Sequence, residues 1–276
     1  MKLSKQVNIG DLVIGGDSLP VLIAGPCVIE NKEVTLKCAE VLKKISEQLS
    51  INTIFKSSFD KANRSSSSSF RGPGLEDGLA ILSDVKQKTG LPILSDVHSV
   101  FDIENSKEIL DIIQIPAFLC RQTDLIKSAS ESGKTVNVKK GQFLSPSDMK
   151  NVISKFYAYG CESVLITERG TTFGYNDLVS DMRSIVKMRE TECPIIFDAS
   201  HSVQSPGSLG NESGGDRDMI FPLARAASAV GVDGFFIECH PSPKNALSDG
   251  PSMLELEDLY DVTKTLLAID KISRSS

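Results

Sequence analysis

The sequence predicts an α/β chain closed into a (β/α)8 TIM barrel, with a short N-terminal β-hairpin capping it. Three observations carry that prediction. Eight short β-branched or apolar runs recur along 276 residues. Each run is followed by a helix-like segment or a gap of helical length. The runs are apolar almost throughout, as strands buried on both faces are. Such a barrel takes about 250 residues, so 1–276 reads as one domain, with no internal repeat. An open doubly wound sheet is the alternative, but it calls for a glycine-rich fingerprint after the first strand. The stretch found there, "GPCVIEN", is not one.

The elements follow in order. Residues 6–16, "QVNIGDLVIGG", alternate apolar residues around a Gly-Asp pair and make the hairpin. The strands are 21–26, 52–58, 91–97, 111–116, 135–140, 163–170, 194–200 and 233–240. Residues 33–49 are amphipathic and helical in pattern. Residues 145–160 open with Ser-Pro-Ser-Asp and close on Gly, plausible start and stop signals for a helix. Residues 252–270 give the final helix.

Composition narrows the function. A net charge of −6, no Trp and four Tyr argue against nucleic acid or an acidic membrane as partner. No run approaches the roughly 18 apolar residues of a membrane span, and the N-terminus lacks a signal-peptide core. Six cysteines without a C-x-x-C pair read as reduced thiols and a cytoplasmic location.

Barrel active sites gather at the C-terminal ends of the strands. Those ends carry Cys27, Lys56, Asp96, Gln114, Lys139, Arg169, His201 and Glu238, one polar or reactive residue per strand. Cys27, Glu238 and Asp249 come from neighbouring strands one and eight, and His201 from strand seven. Together they offer a thiolate, an imidazole and two carboxylates, a set suited to zinc, iron(II) or manganese. Each has a plainer reading. A lone Cys is commonly a small buried hydrophobe, Asp249 passes as a turn residue, and His240 is a rival ligand two residues after Glu238. Glu238 is the stronger clue, because a carboxylate inside an apolar strand must be paired or coordinated.

Basic residues crowd the same end: Lys56, Lys61, Arg64, Arg71, Arg121, Lys139, Lys140 and Arg169. Clusters at Lys61/Arg64 and Lys139/Arg169 point to two anionic groups; Arg71 and Lys140 are equally well read as solvated surface. The serine-rich stretch 55–74 looks like a linker, yet an ordinary barrel helix follows it. It therefore reads as a substrate loop.

Long stretches now identify a resemblance: "AGPC", "FKSSFDKANRSS", "SFRGPG", "IQIPAFLCRQTDL", "VNVKKGQF", "TERGTTFGYNDLVSDMRS", "DASHSVQ" and "ALSDGPS". They run from about residue 21 to 252, and the chain resembles the 3-deoxy-D-manno-octulosonate 8-phosphate synthases, also called 2-dehydro-3-deoxyphosphooctonate aldolases. The resemblance implies condensation of phosphoenolpyruvate with arabinose 5-phosphate, in lipopolysaccharide biosynthesis or, in plants, for pectic polysaccharide. It implies that Lys56, Lys61, Gln114, Lys139 and Arg169 hold phosphoenolpyruvate, and that Asn63, Arg64 and Ser65 hold the sugar phosphate. Asp96 belongs with these substrate contacts. Arg121 is implied to reach that phosphate from the neighbouring subunit of a homotetramer. Cys27, His201, Glu238 and Asp249 match the family's metal-dependent class, in which Cys replaces an Asn, and His240 becomes a bystander. Chemistry falls to Lys61, Lys139, Arg169, His201 and Cys27. The related 3-deoxy-D-arabino-heptulosonate 7-phosphate synthases, which use erythrose 4-phosphate, carry Lys-Pro-Arg-Thr where this chain has "KANRSS". A non-catalytic sugar-phosphate-binding barrel should lack part of the constellation, and no part is missing.

Overall fold

The computed structural model describes residues 2–63, 66, 68–175, 177–205 and 214–275. It opens with the hairpin β1 (Val7–Ile9) and β2 (Leu12–Ile14), paired antiparallel with Val7 opposite Ile14. The turn falls at Gly10, whose φ of 58° is a conformation that glycine adopts without a Cβ clash. Then come β3 (Val21–Gly25), α1 (Lys32–Leu49), β4 (Thr53–Lys56), α2 (Leu75–Thr89), β5 (Ile93–Asp96), α3 (Val100–Ser106) and β6 (Ile112–Ile115). They are followed by α4 (Thr123–Glu131), β7 (Thr135–Lys139), α5 (Met149–Ala158) and β8 (Val164–Glu168). A small hairpin, β9 (Thr171–Gly174) with β10 (Asp177–Val179), precedes α6 (Arg183–Met188) and β11 (Ile195–Asp198). The chain ends with β12 (Gln204–Ser205), β13 (Gly214–Gly215), α7 (Ile220–Val230), β14 (Gly234–His240), β15 (Leu254–Glu255) and α8 (Leu259–Arg274).

Parallel pairing runs β3-β4-β5-β6-β7-β8-β11-β14 and returns from β14 to β3. The sheet is therefore a closed barrel, and the open doubly wound alternative is excluded. Strand alternation then sorts the side chains. Leu22, Phe55, Ile113, Val136, Val138, Ile166, Phe197 and Ile237 face the helices in one large core. Val21, Ile23, Ile54, Leu94, Ile112, Leu165, Ile196 and Phe236 fill the barrel interior together with Val7, Leu12 and Ile14 of the hairpin. The hairpin thus plugs the N-terminal end.

Local signals place the helices. Asn31 accepts a hydrogen bond from the Val34 N–H at the start of α1, and Ser99 and Asp102 form a reciprocal capping box on α3. Two elements differ from the sequence expectation. In 145–160 a 3-10 turn, Pro146–Asp148, precedes α5, consistent with proline at a first helical position. In 252–270 the first residues are not helical: Leu254 and Glu255 extend along Cys239 and His240 as β15, and α8 starts at Leu259. Burying Leu254 beside β14 outweighs its helical propensity.

Candidate active site at the mouth of the barrel

The alternation that fills the barrel with apolar residues also aims the site. Two positions beyond Ile54, Leu94, Ile112, Ile196 and Phe236 come Lys56, Asp96, Gln114, Asp198 and Glu238, all buried on the inner face at the C-terminal end. Asn137 and Thr167 lie one layer below Lys139 and Arg169. Thr167 Oγ1 donates to Asn137 Oδ1 (2.7 Å), and Asn137 Nδ2 donates to Gln114 Oε1 (2.9 Å). This polar belt fixes Gln114.

The floor is Phe236. Lys139 Nζ stands 3.7 Å from its ring centroid and Lys56 Nζ 5.5 Å away, cation–π contacts out of solvent. Each lysine also has a carboxylate: Lys56 Nζ reaches Glu238 Oε1 at 2.7 Å and Lys139 Nζ reaches Asp198 Oδ2 at 2.5 Å. Asp198 holds His201 as well, from Nδ1 at 2.8 Å and by accepting its backbone N–H at 2.8 Å. That leaves the imidazole Nε2 facing Glu238 Oε2 at 3.7 Å.

Burial opposes the charge on Asp198 and Glu238, but His201 and the lysines outweigh it and hold both carboxyls well below the usual range. Lys61 has the mirror-image balance. Burial alone lowers its pKa, yet Cys27, Asp96, Glu238 and Asp249 together raise it, so it stays an ammonium. Burial pulls Lys139 and Arg169 down despite Asp198. Arg169 Nη2 donates to Gln204 Oε1 (3.1 Å), and Gln204 Nε2 donates to Asp249 Oδ1 (3.0 Å). Arg169 Nη1 is buried without a hydrogen-bond partner among the described residues, a donor left for an anion.

Cys27, Glu238 and Asp249 bring ligand atoms within 4.8 Å of one another. Cys27 Sγ donates to Asp249 Oδ2 at 3.0 Å and also lies 3.0 Å from Ser248 Oγ. Burial first, then Asp249 and Glu238, push the Cys27 thiol up. Glu238 Oε2 is buried without a hydrogen-bond partner among the described residues. A thiol and two carboxylates so close, with one oxygen unsatisfied, fit a divalent cation. His201 is not within that trio and approaches it through Glu238. His240 turns elsewhere: Ser242 N–H donates to its Nδ1, and its Nε2 lies 3.5 Å from Glu30.

The loop after β4 is pinned rather than a hinge. Lys61 N–H donates to Arg71 O (2.8 Å) and Gly74 N–H to Phe59 O (3.1 Å). Asp96 accepts a hydrogen bond from Ser58 and lies 3.3 Å from His98 Nε2. Asn63 is exposed at the rim, while Arg64 and Ser65 lie outside the described residues. Arg121 is exposed and lines a second cavity of about 240 Å³ with Asp148, Asn151 and Lys155. Of the two basic residues left open above, Arg71 is a surface residue bonded twice to Asp60, whereas Lys140 is wholly buried.

Sequence reasoning missed Asp198, Gln204 and Phe236. Asp198 was findable: it is an acidic residue inside the apolar run "PIIFDAS", the same signal that singled out Glu238. All six cysteines are free and buried, as expected of reduced thiols.

Comparison with known proteins matches residues 2–274 to the family described as "DAHP synthetase I family". A relative in Geotalea daltonii, named 2-dehydro-3-deoxyphosphooctonate aldolase, is 56% identical over 268 residues, 97% of this chain and 98% of that one. Relatives of the same name in Geobacter sulfurreducens and Trichlorobacter lovleyi are each 53% identical, covering 98% and 99% of this chain and 99% and 100% of their own.

Proposed function

The chain belongs to the DAHP synthetase I family, and from that premise and the geometry of the mouth we propose how it works. It is a transferase that condenses phosphoenolpyruvate with D-arabinose 5-phosphate and water, giving 3-deoxy-D-manno-octulosonate 8-phosphate and phosphate. The erythrose 4-phosphate reading is disfavoured by "KANRSS" and by full-length relatives at 53–56% identity that are named 2-dehydro-3-deoxyphosphooctonate aldolase.

The observation that carries the mechanism is the burial of Lys56, Lys61, Lys139 and Arg169 at one mouth of a net-acidic protein. Phosphoenolpyruvate lies over Phe236, its phosphate on Lys139 and the unsatisfied Nη1 of Arg169, its carboxylate end toward Lys56, Lys61 and Gln114. Asn63, Arg64 and Ser65 take the sugar phosphate at the rim, with Asp96 on the wall between. Holding two anions that otherwise repel turns an encounter into an oriented reaction. Carbon 3 of phosphoenolpyruvate bonds to the aldehyde carbon, and a water oxygen bonds to carbon 2. The new alkoxide takes up one proton and the water loses one. The carbon–oxygen bond to phosphate then breaks, the carbon 2 hydroxyl gives its proton to the departing phosphate, and a ketone is left. Lys61, kept protonated by its acidic neighbours, serves the alkoxide, while Lys139 and Arg169 stabilise the departing phosphate.

Cys27, Glu238 and Asp249, with His201 alongside, hold a divalent metal: zinc, iron(II) or manganese. Bound there it supplies Lewis-acid polarisation. The barrel acts as one domain and works in the cytoplasm; among the described residues no helix is long and apolar enough to cross a membrane. Exposed Arg121 serves a neighbouring protomer of a homotetramer.

The test is phosphate release with both substrates, before and after chelation, in native protein and Arg169→Gln. Turnover with arabinose 5-phosphate but not erythrose 4-phosphate is expected, lost on chelation and restored by metal. Arg169→Gln is expected to raise KM for phosphoenolpyruvate by about tenfold or more. Full activity in rigorously metal-free protein sinks the ligand assignment, and no turnover at all leaves a binding protein.

A further inference from the structure

Lys140 and Glu168 form a buried ion pair for which the mechanism above has no use. Strand alternation puts them on the opposite face of the wall from Lys139 and Arg169, among Val138, Ile166 and the helix-facing core. Their side chains are 0% and 2% exposed, with Lys140 Nζ 3.5 Å from Glu168 Oε1. Removing both charges from water is costly, and apolar residues of like volume commonly stabilise a fold as well or better. Stability is therefore a poor reason for such a pair.

Its hydrogen bonds say what else it does. Glu168 Oε1 accepts the backbone N–H groups of Arg169 (3.0 Å) and Gly170 (2.7 Å), folding the carboxylate over the turn it precedes. Lys140 Nζ donates to Gly170 O (3.2 Å), Thr171 Oγ1 (3.2 Å) and Gly141 O (3.3 Å). Lys140 N–H is itself bonded to Thr167 O at 2.8 Å. Gly170 O and the Thr171 hydroxyl are thus tied directly to Lys140, and the Arg169 and Gly170 N–H groups are tied to it through the Glu168 carboxylate. Gly170, at φ 90°, takes a conformation open to glycine, which lets the chain turn sharply enough for the Glu168 carboxylate to reach both N–H groups.

We propose that the Lys140–Glu168 pair is a positioning latch that sets the distance and direction between Lys139 and Arg169. Neither latch residue touches substrate; the pair acts through the two cations on the other side of the wall. The inference rests on the reading that Arg169 and Lys139 hold the phosphate of phosphoenolpyruvate.

The test compares Lys140→Met, Glu168→Gln and the double variant Lys140→Met/Glu168→Met with native protein and Arg169→Gln. Melting temperature and KM for each substrate are measured separately. Lys140→Met leaves a buried carboxylate unpaired and is expected to melt lower; the double variant, with no buried charge, regains most of that loss. A latch predicts that the double variant nevertheless keeps a KM for phosphoenolpyruvate about tenfold above native, with KM for arabinose 5-phosphate changed less than about twofold. Glu168→Gln keeps a carbonyl acceptor and should fall between, and it carries the test if the other variants do not fold. Native KM for phosphoenolpyruvate in a stable double variant or in Glu168→Gln, while Arg169→Gln is impaired, overturns the latch alone. Unchanged KM in Arg169→Gln overturns the phosphate reading, and the latch with it.

Discussion

Asp96 is where the charge balance of the mouth can be read most directly at the scale of one residue. Burial disfavours its ionised form, but Lys61 and His98 outweigh burial and hold its pKa well below the ordinary carboxylate value. His98 is the reciprocal case: burial lowers it, and Asp96 raises it further. A depressed carboxyl contributes stability above its unfolded pKa of about 4, lost as pH falls through the folded value. A raised imidazole contributes stability that is complete below its unfolded pKa and lost as pH rises through the folded one. Asp96→Asn should therefore cost about 3 kcal/mol near neutrality, because it strands cations in the interior. It should also flatten both the acid limb and the shallow loss above the histidine range in urea midpoints measured against pH. Unchanged limbs would refute the pairing. Asp96 was legible in the sequence because it is the acidic residue near the end of the run "LPILSDV", but its partner His98 was not. Periodicity gives the face a side chain takes, not which neighbour it meets.

Among the elements, the hairpin β1–β2 was legible from alternation about "GD", and its role follows from Ile14. That side chain is fully buried in the barrel interior with Val21, Ile23 and Phe236. Ile14→Ala should cost about 2–5 kcal/mol, the range for truncating a large aliphatic core residue. At temperatures where the variant remains folded, KM values should stay native. Chemical denaturation and steady-state kinetics on one preparation check both halves, and a shifted KM would mean that the plug reaches the chemistry. The hairpin β9–β10 was not legible. Its residues, "TTFG" and "DLV", have no buried face to impose a period: Phe173 is 78% exposed. The strand after Pro251 was missed for the converse reason, since "LELEDLYD" has a helical period and only the edge of β14 recruits Leu254.

The molecule as a whole carries −6 and still collects most of its buried cations at one end, Arg189 at the other end being the exception. Both substrates are polyanions, so the global field repels what the local one attracts. Exposed charges farther apart than about 10 Å are screened at 0.1 M salt, whereas buried contacts are screened far less. Raising ionic strength from low values should therefore lift kcat/KM for both substrates slightly, as distant repulsion fades, before any loss sets in. A monotonic steep fall would instead mean that exposed positive charge steers the encounter. The barrel order was legible because buried parallel strands read as apolar runs; the plugged floor adds something that the strand list did not contain. With Phe236 and the hairpin beneath, the mouth is a blind alley. On the proposed assignment, the ligand on the deep lysines has to arrive before the one at Asn63, and the guest nearer the rim has to depart before the inner berth can be vacated. Traffic through a single doorway imposes a queue, and the order of that queue is built into the architecture before any bond is made.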